Sequence, residues 1–256
     1  MSGRRSKRRA PERATAKRGK RAARTKQPSR AVRKKKSRAP IRASKKAVRK
    51  TKTIKVSTSA ATKPALRARL RAARAQLSPA QRQTASARVA AHLAGTRLYL
   101  VSRRIACYLP SDGEVDTSEI IDRLWRMRRD VFLPVLSRLR YDRLWFAPAM
   151  PGMELVPNRF GIPEPKVSVR ELVRAQEVDL ILLPLVAFDK NGNRVGRGAG
   201  FYDRSLAFLR NRHFLRAPRV LGLAYDFQRV PKIAVDPWDV PLDGVVTDQS
   251  VYYADS

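Results

Sequence analysis

Asp179-Leu180-Ile181-Leu182-Leu183-Pro184-Leu185-Val186-Ala187-Phe188-Asp189 leads directly into Lys190-Asn191-Gly192-Asn193-Arg194-Val195-Gly196-Arg197-Gly198-Ala199-Gly200-Phe201-Tyr202-Asp203-Arg204. The apolar run after Asp179 is what a strand buried on both faces requires, as in the middle of a parallel sheet. The segment that follows has glycines at 192, 196, 198 and 200, where the backbone can take positive φ and come close to a ligand. A helix opening after it adds a positive dipole end. Arg194, Arg197 and Arg204 supply guanidinium forks suited to phosphate oxygens. A polyphosphate cradle at the carboxyl end of a parallel strand is the reading these features support. It is not a P-loop, because no Gly-Lys-Ser/Thr ends it, and the glycine spacing is not the dinucleotide fingerprint.

Outward from this stretch, strands and helices alternate. Upstream, Lys63 to Gln76 carries Leu66, Leu70 and Ala73 at helical spacing, with arginines around them. Ser78, Pro79 and Gln81 form a capping-box start for a second helix that runs to Leu93 and stops before Gly95. Arg104 to Tyr108 reads as a short strand, and Thr117 as the cap of a helix whose Ile120, Ile121, Leu124 and Trp125 share a face. Val131 to Val135 and Arg143 to Ala147 are the next strands. Pro148 to Pro165 holds five prolines and reads as irregular, yet it is too long to be idle. Downstream, a helix is expected through Leu206 and Leu209, a strand over Val220 to Ala224, and a last strand over Gly244 to Thr247. The pattern specifies an α/β fold: three layers, a mostly parallel sheet flanked by helices, in one domain.

Composition excludes several classes. Cys107 is the only cysteine, so no internal disulfide or thiolate zinc site can form. His92 and His213 are the only histidines, too few for a His-rich metal site, and all three of these residues are assigned no role. The longest apolar stretch, Leu180 to Phe188, is far below membrane-spanning length and is broken by Pro184. The expected setting is cytoplasmic, with no membrane partner and a monomer as the default.

Charge divides the chain in two. Residues 1–62 hold 25 Lys and Arg against Glu12 alone, a net +24, while the other 194 residues carry +11. The first segment has no Phe, Trp or Tyr and cannot bury enough apolar surface to offset chain entropy, so a disordered tail over 1–62 and a folded domain over 63–256 are expected.

The folded part resembles the 5-formyltetrahydrofolate cyclo-ligase (methenyltetrahydrofolate synthetase) family. Five ordered blocks carry the resemblance. They are Lys63-x-x-x-Arg67; Tyr108 with Glu114-Val115-x-Thr117; Asn158-x-Phe160-Gly161-Ile162-Pro163-Glu164-Pro165; the Leu183–Arg204 signature; and Gln228 with Trp238-Asp239 to Leu242-Asp243. What it implies is closure of 5-formyltetrahydrofolate to 5,10-methenyltetrahydrofolate, with ATP as cosubstrate and Mg²⁺ as cofactor. A formamide oxygen leaves poorly, and phosphorylating it makes a good leaving group, so positioning and charge neutralisation carry the catalysis.

By the same resemblance, ATP is bound by Lys63 and Arg67 from the first helix and by Arg194, Val195, Gly196, Arg197, Gly198, Ala199, Gly200, Phe201 and Tyr202. Substrate is bound by Leu109, Glu114, Phe160 and the Arg197–Phe201 stretch, with Glu114 accepting paired N–H groups of the pterin and the aromatics stacking on it. Arg197 and Asp203 are the implied catalytic pair, and Asp203 with Asp239 the implied metal ligands. From the residues alone, Lys63 and Arg67 could equally be a solvated basic face, Asp203 a helix cap, and Asp243 a rival to Asp239. Two departures stand out: Phe160 replaces an aromatic that is Trp in many members, and Ala199 replaces Gly or Lys.

The tail lies outside the resemblance. Its charge predicts nucleic-acid binding through phosphates without base stacking, which would allow a nucleoid-associated location; its blocks such as Lys34-Lys35-Lys36 lack the amphipathic period of an organellar transit peptide. A solvated extension, or a start codon placed too early, is the alternative. A nucleic-acid-binding protein on a degenerate scaffold is the competing function, opposed by the intact glycines, Arg197 and Asp203. The full chain is expected to bind duplex DNA of any sequence with an affinity that falls by orders of magnitude between about 50 and 200 mM salt. Equal binding by a chain beginning at Lys63, in a fluorescence-anisotropy titration, would contradict this.

Overall fold

Residues 62–136, 142–214 and 218–254 are described by the computed structural model, and all of them belong to one compact unit, Lys52–Ser256. The expectations for residues 1–61 lie outside the described residues. In chain order the elements are α1 (Lys63–Ala75), α2 (Pro79–Ala94), α3 (Arg97–Val101), β1 (Arg104–Ala106), α4 (Ser118–Arg126), β2 (Asp130–Leu136), β3 (Leu144–Pro148), β4 (Leu155–Pro157), β5 (Pro163–Pro165), β6 (Leu180–Pro184), β7 (Ala187–Phe188), β8 (Arg194–Val195), α5 (Phe201–Ser205), β9 (Arg219–Leu223), β10 (Gly244–Val246) and β11 (Val251–Tyr253).

A seven-stranded sheet in the order β11-β10-β9-β6-β1-β2-β3 forms the middle layer. Strands β10, β9, β6, β1 and β2 are parallel, and antiparallel β11 and β3 close the two edges. Period-two alternation along β6 feeds both cores. Leu180 and Leu182 pack with Val89, Leu93, Ile120 and Leu124 of α2 and α4. Ile181 and Leu183 pack on the opposite face with Leu206, Leu209, Val220 and Val240. Four residues without solvent exposure at the sheet's centre are what the apolar run required.

The chain leaves β1 toward β2 on one side and later returns to β6 on the other, so the loops after β1 and β6 diverge. That is a topological switch point, where an open α/β sheet forms a crevice. Tyr108, Thr117 and Tyr225 fix the first of these loops. The Tyr108 hydroxyl donates to the Val115 carbonyl (3.0 Å), the Thr117 hydroxyl to the Tyr108 carbonyl (2.5 Å), and the Tyr225 hydroxyl lies 3.2 Å from the Gly113 carbonyl.

The second loop begins as the β7–β8 hairpin, on which α1 packs through Leu66 and Leu70 against Val186, Ala187 and Val195. Asp189 closes the hairpin: its buried carboxylate accepts from the amides of Asn191, Asn193 and Ile233 and from the Asn193 side chain, all at 3.0–3.1 Å. Gly192 sits at the tip with φ +77°.

Several expectations need correction. Thr117 does not cap α4, since its hydroxyl is committed to Tyr108; the Asp116 carboxylate accepts from the Ser118 amide instead, at 2.9 Å. The helix expected through Leu206 and Leu209 is only α5, five residues long, followed by 3-10 turns over Ala207–Phe214. Its axial dipole is therefore that of a single turn. Gly244–Thr247 is not the last strand, because β11 pairs beyond it. Within the proline-rich segment, β4 and β5 form a two-stranded ribbon closed by Asn158, whose side-chain oxygen accepts from the amides of Phe160 and Ile162. Among the described residues no helix is long and apolar enough to cross a membrane.

A Cβ at Gly192 would lie 2.6 Å from the Leu242 carbonyl oxygen, whereas one at Gly152, with nearly the same φ, would meet nothing within 4 Å. Gly152→Ala is therefore expected to cost only the left-handed backbone penalty, about 1 kcal/mol. Gly192→Ala adds an overlap with backbone and should cost about 2–4 kcal/mol. Chemical denaturation of both variants separates the two contributions; equal losses would place Gly192 in the same category as Gly152.

Candidate active site

A cavity of about 870 Å³ occupies the switch point, and every residue singled out above for ATP, substrate or metal lines it. Three strand-end segments, the β4–β5 ribbon and α1 supply them. The loop after β1 brings Leu109 and Glu114, the hairpin and glycine loop bring Arg194 to Asp203, and the β9–β10 connection brings Asp239. Lys63 and Arg67, one turn apart on α1, face the same space, so the basic pair is not a solvated surface.

Three of the cations in this space, Lys63, Arg194 and Arg197, rest on carboxylates of the chain itself. Arg194 is nearly sealed from water; one of its amino groups donates to Asp203 Oδ1 at 2.6 Å and the other to the Val240 carbonyl. Burial pulls its pKa down, opposed by the charges of Asp203 and Asp239. Arg197 donates from Nε to Glu114 Oε1 at 3.0 Å, and from one Nη to Ser111 Oγ at 2.5 Å and Asp112 Oδ2 at 2.8 Å. The Lys63 ammonium bridges Asp236 (2.6 Å) and Asp239 (2.7 Å). Burial acts to lower its pKa, but those two carboxylates outweigh burial and hold it raised. Arg67 donates from Nε to the Gly196 carbonyl at 2.8 Å, and its guanidinium would lie 3.7 Å from a Cβ at Gly198, so α1 holds the loop directly.

Glu114 is the buried carboxylate of the set. Burial pushes its pKa up, against the pull of Arg197, the Ser111 amide and Arg74. Beside it Tyr202 is a partly buried phenol whose pKa desolvation also raises, so it stays neutral. Phe160, from the β4–β5 ribbon, stands over half exposed at the rim and meets Phe201 edge-on, with ring centroids 6.0 Å apart.

Arg204 does not point its charge into the centre as the sequence suggested. It folds back to the carbonyls of Asp142 and Ala199, both at 2.7 Å, and stacks over Phe201. Its neighbour Asp203 pairs with Arg194 instead of acting only as a helix cap.

A profile of the 5-formyltetrahydrofolate cyclo-ligase family matches residues 59–248. The chain belongs to the 5-formyltetrahydrofolate cyclo-ligase family. It is 39% identical over 179 residues to the protein of that name from Escherichia coli, covering 70% of this chain and 96% of that one. It is also 39% identical over 169 residues to the Haemophilus influenzae protein of that name, covering 66% and 88% of the two chains. A solved 5,10-methenyltetrahydrofolate synthetase from Aquifex aeolicus shares the architecture with TM-score 0.63 and 31% identity, over 76% of this chain and 93% of that one. As a cyclo-ligase the chain is an enzyme of the ligase class.

In this cyclo-ligase, Asp243 is removed from contention with Asp239 as a cavity residue. It accepts from the Arg219 guanidinium and the Val220 amide at the far end of the sheet, and it does not line the cavity. Asp203 and Asp239 do, and the Val240 amide donates to Asp203 Oδ1 at 3.3 Å, so the two acids sit on adjoining backbone. Among the described residues no group of three or more His, Cys, Asp or Glu forms a metal cage. Two hard oxygen donors in a nucleotide-sized cavity nonetheless fit Mg²⁺, which takes its other ligands from phosphate and water.

Asp236, Ser111 and Asp112 line the cavity without having been singled out, and Trp238, quoted only as part of a block, lines it too. For Asp236 a signal existed: Asp236-x-x-Asp239 is a turn spacing, closed here by the Asp239 amide on the Asp236 carbonyl and the Asp236 amide on Asp239 Oδ2.

Breaking the Arg194–Asp203 pair leaves a guanidinium without its carboxylate in a nearly dry site. Asp203→Asn should cost about 3 kcal/mol and lower Tm by about 6–12 °C. Adding Arg194→Met to that variant should recover part of the loss. A single variant melting with the wild type would remove the pair as a structural element.

Proposed function

We propose that this chain closes 5-formyltetrahydrofolate to 5,10-methenyltetrahydrofolate, coupled to conversion of ATP to ADP and phosphate. The observation that carries the reading is Arg197. It joins the glycine loop to Glu114, so one guanidinium spans the end of the cavity suited to phosphate and the end suited to a pterin.

The reaction needs two heavy-atom bonds made, two broken, and one N–H proton released. The formyl oxygen attacks the γ-phosphorus and ADP leaves. The neighbouring folate nitrogen then attacks the activated carbon, loses its proton, and phosphate departs carrying the former formyl oxygen. The chain's part is mainly to position and to neutralise. Lys63, Arg67 and the amides of the glycine loop hold the triphosphate, and Leu109, Phe160 and Phe201 wall the pterin. Glu114 accepts the pterin N–H groups, which competes with its bond to Arg197 and releases that guanidinium toward the transferring phosphoryl. Asp203 and Asp239 would hold Mg²⁺, whose role when bound is to neutralise phosphate charge.

Support for the folate comes from the relatives' names and from a cavity within the size range of small-molecule sites, with apolar walls and a buried carboxylate at one end. The charge of residues 1–62 supports a separate, sequence-independent attachment to nucleic acid.

Mixing the protein with Mg-ATP and 5-formyltetrahydrofolate should give the methenyl product, followed by its near-ultraviolet absorbance, and no product without ATP. Absence of product under saturating substrates would overturn the reading. Asp239→Asn, which leaves Lys63 its bond to Asp236, should raise the Mg²⁺ concentration needed for half-maximal rate by about tenfold or more. An unchanged Mg²⁺ requirement would remove Asp239 from the metal.

A further inference from the structure

Arg74, in the last turn of α1, is 1% exposed, and its Nε and one Nη have no hydrogen-bond partner. A buried guanidinium in that state is costly and calls for a reason. Its stem lies beneath the turn after β1: a Cβ placed at Gly113 would be 3.6 Å from Arg74 Cγ. That turn is conformationally demanding, with Asp112 at φ +49° and Gly113 at φ +70°. The strongest charge acting on Arg74 is that of Glu114, followed by Arg197 and Asp112.

We propose that Arg74 is a positioning residue for the pterin end of the cavity. Its buried guanidinium is the standing counter-charge behind Glu114, keeping that side chain a carboxylate aimed into the cavity after Arg197 has turned to phosphate. The inference rests on the folate-binding role given to Glu114 above. It follows from how the two arginines are placed. Arg197 comes from the glycine loop, is 30% exposed at its side chain and is shared among Glu114, Asp112 and Ser111. Arg74 comes from a helix, is locked by packing and has donors in reserve. When the mobile partner leaves, a buried carboxylate without a second cation takes up a proton and can no longer accept two N–H bonds.

The groups facing Glu114 from each packed element set the sign. From α1 there is Arg74. From the glycine loop and α5 come Arg197 and the neutral phenol of Tyr202. From its own turn come Asp112 and the Ser111 amide and hydroxyl, and from the start of the loop after β1 the buried Tyr108 phenol. Beneath them the Tyr225 hydroxyl meets the Glu114 carbonyl at 3.3 Å, and the Arg82 guanidinium of α2 reaches the Gly113 position. Burial already pushes the Glu114 pKa up, so removing Arg74 raises it further and moves the acid limb of kcat/KM to higher pH.

The test is steady-state cyclisation with Arg74→Met and Arg74→Lys, each alone and combined with Glu114→Gln. Arg74→Met, matched in bulk, should raise KM for 5-formyltetrahydrofolate about tenfold and shift the acid limb upward by about one pH unit, with KM for ATP little changed. Arg74→Lys should keep most of the wild-type profile. In the Glu114→Gln background neither change should have a further effect. A packing role alone predicts the opposite: a lower Tm with the pH profile and folate KM intact, which would overturn the proposal. If Arg74→Met does not fold, Arg74→Gln takes its place: an acid limb shifted upward would support the proposal, and one left at the wild-type pH would overturn it. If Glu114→Gln itself leaves folate KM unchanged, the role assigned to Glu114 falls; if only Arg74→Met does, the inference about Arg74 falls alone.

Discussion

The Arg194–Asp203 pair is the contact on which the cavity depends. Arg194 belongs to the β7–β8 hairpin, Asp203 to α5, and the carbonyl taken by the other amino group of Arg194 to Val240, beside Asp239. One guanidinium therefore ties the start of the glycine loop, its end, and the segment carrying the second acid. The glycines free the backbone between Gly196 and Gly200, and freedom of that kind would spread a loop over many conformations unless both ends were pinned. Arg194 pins them through charge in a nearly dry setting, where breaking the pair costs more than at a surface.

The same logic explains why the sheet had to be mostly parallel. A cavity needs two loops that diverge, and β1 and β6 are neighbours in the sheet but remote in the chain. The loop after β1 contributes a carboxylate end and the loop after β6 a cationic one. α1 then closes the crevice by seating Leu66 and Leu70 on the hairpin and presenting Lys63 and Arg67 to the loop. Arg67 bonded to the Gly196 carbonyl makes this helix part of the site and not only part of the wall.

Much of this was legible in the sequence because the deciding segments carry one-dimensional signals. Leu180 to Leu183 is apolar throughout because both faces are buried, and Ser78 with Gln81 form the capping box their spacing requires, at 3.2 and 2.8 Å. What was not legible depends on partners distant in the chain. Thr117 looks like a cap, yet the Tyr108 carbonyl nine residues back claims its hydroxyl. Arg204 looks like a phosphate ligand, yet two carbonyls hold it. The β4–β5 ribbon hid behind its prolines, which are tolerated because an isolated two-stranded ribbon leaves outward-facing positions with no ladder bond to make. Arg74 was one arginine among many on a basic helix; only burial separates it from Arg69 and Arg71.

A site for polyanions poses a physical problem when empty, since its cations repel one another and destabilise the fold that holds them. This protein answers with carboxylates of its own. Lys63 rests on Asp236 and Asp239, Arg194 on Asp203, Arg197 on Glu114 and Asp112. On the proposed reading the arrangement has a consequence for ligand binding, because phosphate entering the cavity would have to displace acids that are themselves partly buried. The displacement is favourable only if each released carboxylate finds another positive partner. For Asp203 and Asp239 a divalent cation arriving with the nucleotide would serve. Glu114 belongs to the end of the cavity formed by the loop after β1, where on the same reading the second positive charge would come from the protein.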